Sequence, residues 1–292
     1  MGYADPRLDP SGKLNFRLSR LLSSYNKQDP PPSRVKPIPT SIIMHTIATL
    51  RLATHPRAQA LADMITLGFY FLLRPGEYAL TTNPESTPFR LMDVHLQRGQ
   101  SRIAHLHCPL AELDTATFLC LEFTNQKNGV RGELIGLGRS GNPAFCPVQA
   151  CANRIRHLRT FNAPPTLPLF AFFATTWQSI TSSNLTAELK NAITILGHTV
   201  GLTSSDVSVR SLRSSGAMAL LCANIDTDRI RLLGRWRSDE MLRYLHVQAY
   251  PVVAHLAPAM LQHGHFTIIP NDIYPQHPPP AGDLGDPGPV VH

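Results

Sequence analysis

The sequence lacks the short motifs that mark most metal, nucleotide and disulfide sites. Its five cysteines are scattered and include no CxxC pair, so neither a zinc site nor a disulfide framework is indicated. Its thirteen histidines form no HExxH or HxH cluster, and it contains no P-loop. These absences predict reduced thiols in a cytosolic or nuclear compartment, with no metal and no cofactor.

Long apolar runs are missing as well. The run "MITLGFYFLL" at residues 64–73 has only ten residues, whereas a helix that spans a bilayer needs about 20. No signal-peptide pattern is present at the N-terminus. We therefore expect this run to be a buried core helix, and we expect no membrane partner.

What the chain does contain is positive charge and enough apolar material for a core. Lysine and arginine total 27 against 20 aspartates and glutamates, a formal charge of +7, and 43% of the 292 residues are hydrophobic. A chain of this length and composition can bury a full core. The basic balance favours a polyanionic partner such as nucleic acid.

Apolar residues recur at helical spacing in several segments and at strand spacing in one. Helices are predicted from Thr40 or Ser41 through Leu50 and at about 57–73, 147–161, 184–198, 211–223 and 226–233. Residues 87–138 favour strands, and Asn128-Gly129 is a strong two-residue hairpin signal. The sequence therefore predicts an α+β fold that is mainly helical, with a small antiparallel sheet or hairpin.

Proline content divides the chain into three parts. Residues 1–39 combine a short amphipathic piece with a proline-rich linker, and residues 40–266 hold the predicted helices and sheet. Residues 267–292 form a proline-rich tail that we predict to be disordered.

Four residues stand out by position. Arg74 precedes Glu77 by three residues at a predicted helix end, and Lys127 lies at the lip of the predicted hairpin. Arg213 opens a helix, where the dipole disfavours a cation and where an anionic ligand would suit both charge and helix. Tyr244 lies on a short predicted helix in "SDEMLRYL". Taken singly, three of the four have ordinary explanations: a surface ion pair for Arg74, a surface lysine for Lys127 and a partly buried tyrosine for Tyr244.

The ordered set is more specific than its members. Together with "NQKNGVRGE", "FCPVQA", "SLRSSGAMALL" and "LGRWRSDEMLRYL", it resembles the catalytic domain of the tyrosine recombinase (phage integrase) family. Within that family it most resembles the recombinases of crypton and DIRS-like mobile elements. The resemblance covers roughly residues 36–250 and implies the tyrosine recombinase catalytic-domain fold for residues 40–266.

The resemblance implies a recombinase or integrase that cuts and rejoins DNA through a 3′-phosphotyrosine intermediate. Tyr244 would be the nucleophile, and Lys127 would protonate the departing 5′ oxygen. Arg74 and Arg213 would bind the nonbridging phosphate oxygens, since guanidinium groups match phosphate bidentately.

Further residues have supporting roles by the same resemblance. Trp236 would contact the phosphate. Alternatively Arg235 would do so, because it lies one residue nearer the position that the family fills with histidine or tryptophan. Glu77 would support Arg74. DNA backbone contacts are predicted for Arg131, Arg154, Arg156 and Arg159; on the helix at 147–161 a solvated basic face explains these arginines equally well.

Two departures from the family pattern bear on activity. Arg210 stands where the family carries the histidine of HxxR, and arginine is a poor general base because it stays protonated. The segment before residue 40 is too short for the helical DNA-clamping domain that usually precedes the catalytic one. Either the protein is truncated, or its DNA affinity rests on the basic surface of the catalytic domain.

The resemblance also implies double-stranded DNA as partner and self-association as a synaptic tetramer on DNA. It implies a nuclear location if the element is eukaryotic and a cytoplasmic one otherwise. One alternative is a catalytically impaired or domesticated DNA-binding protein that retains the fold. Another, from a different class, is a helical interaction module whose arginines form surface ion pairs.

Overall fold

The computed structural model describes residues 35–124 and 132–236, together with residues 7, 13, 15, 16 and 18–20. The described chain is mainly helical with a small antiparallel sheet, which confirms the predicted α+β class. Between residues 35 and 236 its α-helices are α1 (Thr40–Leu52), α2 (Pro56–Tyr70), α3 (Pro75–Tyr78), α4 (Pro147–Thr160), α5 (Ser182–Leu196), α6 (Ser211–Cys222) and α7 (Thr227–Gly234). Its strands are β1 (Val94–Arg98), β2 (Ser101–Arg102), β3 (Phe118–Phe123), β4 (Glu133–Gly138), β5 (Ala171–Phe173) and β6 (Trp177–Ser179).

Helix α2 lies at the centre of the core. Every residue from Ala60 to Phe69 is buried, so no face of this part of the helix meets water. Helices α1, α4 and α6 pack around it. Residues 64–73 are buried as predicted, apart from the partly exposed Tyr70. None of the helices among the described residues is long and apolar enough to cross a membrane.

Helix α2 ends earlier than the sequence suggests. The apolar pattern predicts that it continues to residue 73 and is stopped by Pro75 and Gly76. Instead Leu72 takes a left-handed conformation (φ 49°), and the N–H groups of Leu72 and Leu73 donate back to the carbonyls of Phe69 and Gly68. This is a Schellman closure. Pro75 then occupies the first position of α3, where its missing N–H costs nothing.

The four-stranded sheet has the order β2-β1-β3-β4 and is antiparallel throughout. Strands β3 and β4 pair from Phe118 opposite Gly138 to Phe123 opposite Glu133, as expected for the predicted hairpin. Alternate residues of β3 are buried, so one face of the sheet covers the core. The turn signal at Asn128-Gly129 lies outside the described residues.

Helices α6 and α7 bring the last described part of the chain onto the end of α2. Leu72, Ala217, Ile230 and Trp236 form a small hydrophobic cluster there, separate from the main core. The predicted domain boundaries at residues 39 and 266 stay predictions, because residues 237–292 and most of residues 1–34 lie outside the described part of the chain.

We predict that Gly216→Ala destabilises the protein. A Cβ at this position would overlap the backbone carbonyl of Phe69 and Cδ2 of Leu72, and a backbone carbonyl cannot yield cheaply. The loss should be about 1–3 kcal/mol in the free energy of unfolding, measured by urea denaturation, despite the higher helix propensity of alanine. Gly138→Ala is the control, because its nearest neighbours would lie 3.9 Å away. Equal stability of the two variants would contradict this packing.

Candidate active site

Arg74 lies in the turn between α2 and α3. Its backbone N–H donates to Oε2 of Glu77 at 2.7 Å, and its Nη1 donates to Oε1 of the same carboxylate at 3.4 Å. Arg74 is the N-cap residue of α3 and Glu77 is the third residue of that helix, a position from which a carboxylate reaches back to the N-cap backbone. The Arg74 side chain is 29% exposed. Its guanidinium therefore contacts Glu77 and still meets solvent.

The guanidinium of Arg235 contacts the same carboxylate from inside the protein. Its Nη2 donates to Glu77 Oε2 at 3.0 Å and to the Leu72 carbonyl at 3.4 Å, and its Nη1 donates to the Phe71 carbonyl at 3.2 Å. Its Cζ lies 3.9 Å from the centroid of the Phe123 ring. Burial lowers the pKa of Arg235, and the Glu77 carboxylate opposes that shift.

This placement corrects the prediction that Arg235 contacts a DNA phosphate. Only 1% of its side chain is exposed, and it is enclosed by the backbone of the α2 end. Arg235 has a left-handed backbone (φ 57°) at the end of α7. Arg235, the alternative to Trp236 in that prediction, therefore stabilises the interior of the fold. Contact between Trp236 and a phosphate stays a prediction.

Arg213 is buried beneath Trp236. Its Nη2 donates to the carbonyl of Gly234, and its Cζ lies 4.4 Å from the centroid of the indole ring, a cation–π contact. Arg213 is the third residue of α6, where the dipole disfavours a cation. Gly234 is the last residue of α7, so its carbonyl lies at the negative end of a second dipole and offsets that cost. With 5% of its surface exposed, Arg213 is not open to a phosphate in this arrangement.

Arg210 is exposed and immediately precedes α6. The neighbouring carbonyl of Val209 accepts a hydrogen bond from the buried Tyr78 hydroxyl at 3.0 Å, which joins the start of α6 to α3. Burial raises the pKa of Tyr78, so this hydroxyl stays protonated as a donor. Arg210 and Arg74 therefore lie on elements that touch, and both meet solvent.

Three predicted site residues, Lys127, Arg131 and Tyr244, lie outside the described residues, and their roles stay predictions. Strand β3 ends at Phe123, whose ring lies against Arg235, and Phe123 pairs with Glu133 at the start of β4. Among residues 35–124 and 132–236, no three histidine, cysteine, aspartate or glutamate side chains are grouped so that they could hold a metal ion.

On α4, the structure corrects the prediction that Arg154 contacts the DNA backbone. Arg154 is 1% exposed, and its guanidinium donates to the carbonyls of Leu169 and Ala171. Burial lowers its pKa to about 10, with the Asp63 carboxylate opposing the shift, so it stays charged at neutral pH. In this arrangement Arg154 stabilises the interior of the fold and is not presented to DNA.

The other two arginines of α4 are partly exposed but already engaged. Arg156 pairs with Asp114 at 2.6 Å, and Arg159 donates to the His105 carbonyl at 3.0 Å. Between them, Nε2 of His157 accepts a hydrogen bond from the Phe173 N–H at 2.9 Å. The helix therefore uses much of its basic face within the protein, and contacts of Arg156 and Arg159 with DNA stay predictions.

Sequence reasoning missed the connection between Glu77 and Arg235 and the platform formed by Phe123. The ion pair joins residues 158 positions apart. No local pattern signals such a contact, since both residues are common at solvent-exposed positions. The closest signal in the sequence is the three-residue spacing of Arg74 and Glu77, which indicates one of the two guanidinium partners of the Glu77 carboxylate.

No protein-family profile matches the chain, and no curated protein does. Among solved structures, the chain is similar to the XerH site-specific recombinase bound to its difH substrate in a pre-cleavage complex, with a TM-score of 0.49 and 12% identity over 86% of this chain. The similarity covers 58% of that recombinase, so the chain spans about three fifths of its length.

The chain is also similar to the Tn1549 transposon integrase. In complex with circular-intermediate DNA, that integrase gives a TM-score of 0.42 and 12% identity over 78% of this chain and 66% of its own. A variant of the integrase in complex with transposon right-end DNA gives a TM-score of 0.44 and 10% identity, over 81% of this chain and 68% of the integrase chain. With TM-scores below 0.5 and identities of 10–12%, these similarities do not assign the chain to a family.

We predict that acid destabilises the protein through His157. Desolvation, which dominates, and the nearby Arg154 charge lower its pKa from 6.5 to about 4. As the pH falls from about 6.5 to about 4, the unfolded chain binds a proton that the folded one does not, so stability is lost over this window. The free energy of unfolding, measured with urea, should therefore fall between about pH 7.5 and pH 5, and His157→Gln should reduce that fall by about 1 kcal/mol. This figure allows for the partial exposure of the side chain. Identical pH dependence in the variant would contradict this.

We predict that Gly234→Ala displaces Trp236 from Arg213. A Cβ on Gly234 would overlap the indole ring, which lies directly against the glycine. In a Trp177→Phe background, Trp236 is the only tryptophan left of the two in the sequence, and its fluorescence emission should shift to the red as the ring becomes exposed. Leu232→Ala is the matched control, since Leu232 is 69% exposed on the same helix. An unchanged spectrum for Gly234→Ala would reject this arrangement.

Proposed function

We propose that this chain is a recombinase of the tyrosine type, which cuts and rejoins DNA through a 3′-phosphotyrosine at Tyr244. The observation that supports it best is the convergence of distant arginines. Arg74 and Arg235 share the Glu77 carboxylate, while Arg213 binds the carbonyl of Gly234, the residue next to Arg235. The sequence predicts this role for Arg74 and Arg213 by resemblance, and α2, which ends shortly before Arg74, packs against α6, which carries Arg213.

In the proposed reaction, the Tyr244 hydroxyl loses its proton to solvent water as its oxygen attacks the scissile phosphorus, and the bond from phosphorus to the 5′ oxygen breaks. Lys127 gives its proton to the departing 5′ oxygen. Arg74 and, once uncovered by Trp236, Arg213 stabilise the charge that develops on the nonbridging oxygens. The phosphotyrosine conserves the energy of the broken bond, so that attack by a 5′-hydroxyl rejoins the DNA.

The finer proposals follow the sequence resemblance. The partner is double-stranded DNA, bound by a tetramer in synapsis, and the protein derives from a crypton or DIRS-like mobile element and acts in the nucleus. Arg210 is exposed beside the proposed site, where it would bind phosphate in place of the family histidine.

A second candidate is a DNA-binding protein that retains the fold without strand exchange. Arg210 favours it, because a guanidinium does not accept the proton of the attacking tyrosine at neutral pH. Such a protein would bind DNA with the steep salt dependence of phosphate contacts and would form no covalent product.

Covalent trapping tests the proposal. We expect the full chain, incubated at low salt with nicked duplexes carrying randomised sites, to form a denaturant-resistant adduct that maps to Tyr244. Tyr244→Phe should abolish the adduct and leave DNA binding intact. Arg74→Ala should slow adduct formation by about 10²–10³, because it removes a charged donor from the transition state.

Each other outcome selects a different function. Salt-sensitive DNA binding without an adduct rejects strand exchange and supports the DNA-binding candidate. Absence of DNA binding at low salt rejects both and leaves the interaction module. An adduct at a residue other than Tyr244 rejects the assigned nucleophile.

A further inference from the structure

The carboxylate of Glu77 is shared unequally between two guanidinium groups. Its Oε2 accepts from Nη2 of Arg235 at 3.0 Å, whereas its Oε1 accepts from Nη1 of Arg74 at the longer distance of 3.4 Å. Arg235 is the buried partner, with 1% of its side chain exposed, and Arg74 is the solvent-facing one, with 29%. Oε2 also accepts from the Arg74 backbone N–H at 2.7 Å, so the Arg74 guanidinium contacts only Oε1.

Arg235 is held in place by groups other than Glu77 as well. The carbonyls of Phe71 and Leu72 accept its N–H groups, and the Phe123 ring lies beneath its plane. A guanidinium can make these contacts together because it is planar and carries five donors in a fixed fork. A lysine at the same position would present a single point charge.

We infer that Arg235 is a positioning residue, which holds Glu77 so that the guanidinium of Arg74 stays available to a phosphate. This inference rests on the proposed function, in which Arg74 binds the scissile phosphate. Arg235 binds the interior side of the Glu77 carboxylate, and the Glu133 carboxylate also stabilises its charge, so the guanidinium of Arg74 is the one that meets solvent. Without Arg235, Glu77 would turn to Arg74 and form the close two-pronged pair that arginine and carboxylate favour. That pair would cancel the charge and occupy the donors that phosphate needs.

Phosphate binding to a set of variants tests the inference without DNA. The probe is inorganic phosphate at low ionic strength, followed by NMR of the arginine side-chain N–H signals in the full chain. Arg235→Met keeps the packing over Phe123 and should weaken phosphate binding at Arg74 about tenfold. Arg235→Met combined with Glu77→Gln should restore binding to within about threefold of the wild-type protein, since no carboxylate is left to compete.

The double variant separates positioning from general structural damage. Replacing Glu77 does not restore hydrogen bonds to the carbonyls of Phe71 and Leu72, so a purely structural role predicts that the double variant binds no better than Arg235→Met. Arg229→Met, at an exposed position on α7, is the control for loss of charge and should bind as the wild type does. If Arg235→Met does not fold, Arg235→Lys replaces it and should weaken phosphate binding at least threefold, because the fork is absent from lysine.

Three results would overturn the inference: wild-type affinity in Arg235→Met or its lysine replacement, no recovery in the double variant, or no phosphate binding at Arg74 in the wild type. The proposed function is tested separately, by formation of the covalent adduct at Tyr244. An adduct with unaltered phosphate binding in Arg235→Met rejects the positioning role alone. The expected phosphate pattern without an adduct rejects strand exchange alone.

Discussion

The buried ion pair between Arg235 and Glu77 joins parts of the chain that are far apart in sequence. A guanidinium removed from water stabilises a fold only when its polar neighbours are all in place, since leaving such a charge unpaired costs about 3–5 kcal/mol. The closure after α2, the start of α3 and the end of α7 must therefore take up their positions together. Phe123 fixes the β3–β4 hairpin to the same point.

The positions of the other arginines follow from that constraint and from two close helix approaches. Gly216 lets α6 lie against the end of α2, and the Tyr78 hydroxyl holds the start of α6 to α3. Arg213 is thereby carried to the end of α7, where a carbonyl and an indole ring receive it. The arrangement resolves an apparent contradiction in the sequence, a cation at the unfavourable end of a helix, by supplying a second helix whose end is favourable.

The spacing of apolar residues is sufficient to predict most of the helices, because each helix buries at least one apolar stripe. The predicted spans 147–161 and 211–223 differ from α4 and α6 by a single residue at one end. The rest depends on contacts that sequence spacing does not encode. Leu72 ends α2 in a conformation usual for glycine, which its burial among Ala217, Ile230 and Trp236 compensates.

The buried arginines and the shortest strands are the parts that local pattern does not reveal. In the sequence Arg154 and Arg235 resemble surface residues because arginine is rarely buried, and only carbonyls supplied from elsewhere make their burial tolerable. Strands β5 and β6 have three residues each, too few for alternation to show.

Helix α4 takes the place of a missing strand beside β5. Arg154 donates to the carbonyls of Leu169 and Ala171, and His157 accepts from the N–H of Phe173, so alternate backbone groups along this edge are met by side chains. An edge with free backbone groups is a template on which other chains pair and aggregate. This edge of the two-stranded sheet is thus closed to such growth without a further strand. Its resistance to pairing with other chains therefore depends on two protonation states. The edge stays closed only while Arg154 is protonated and Nε2 of His157 is not.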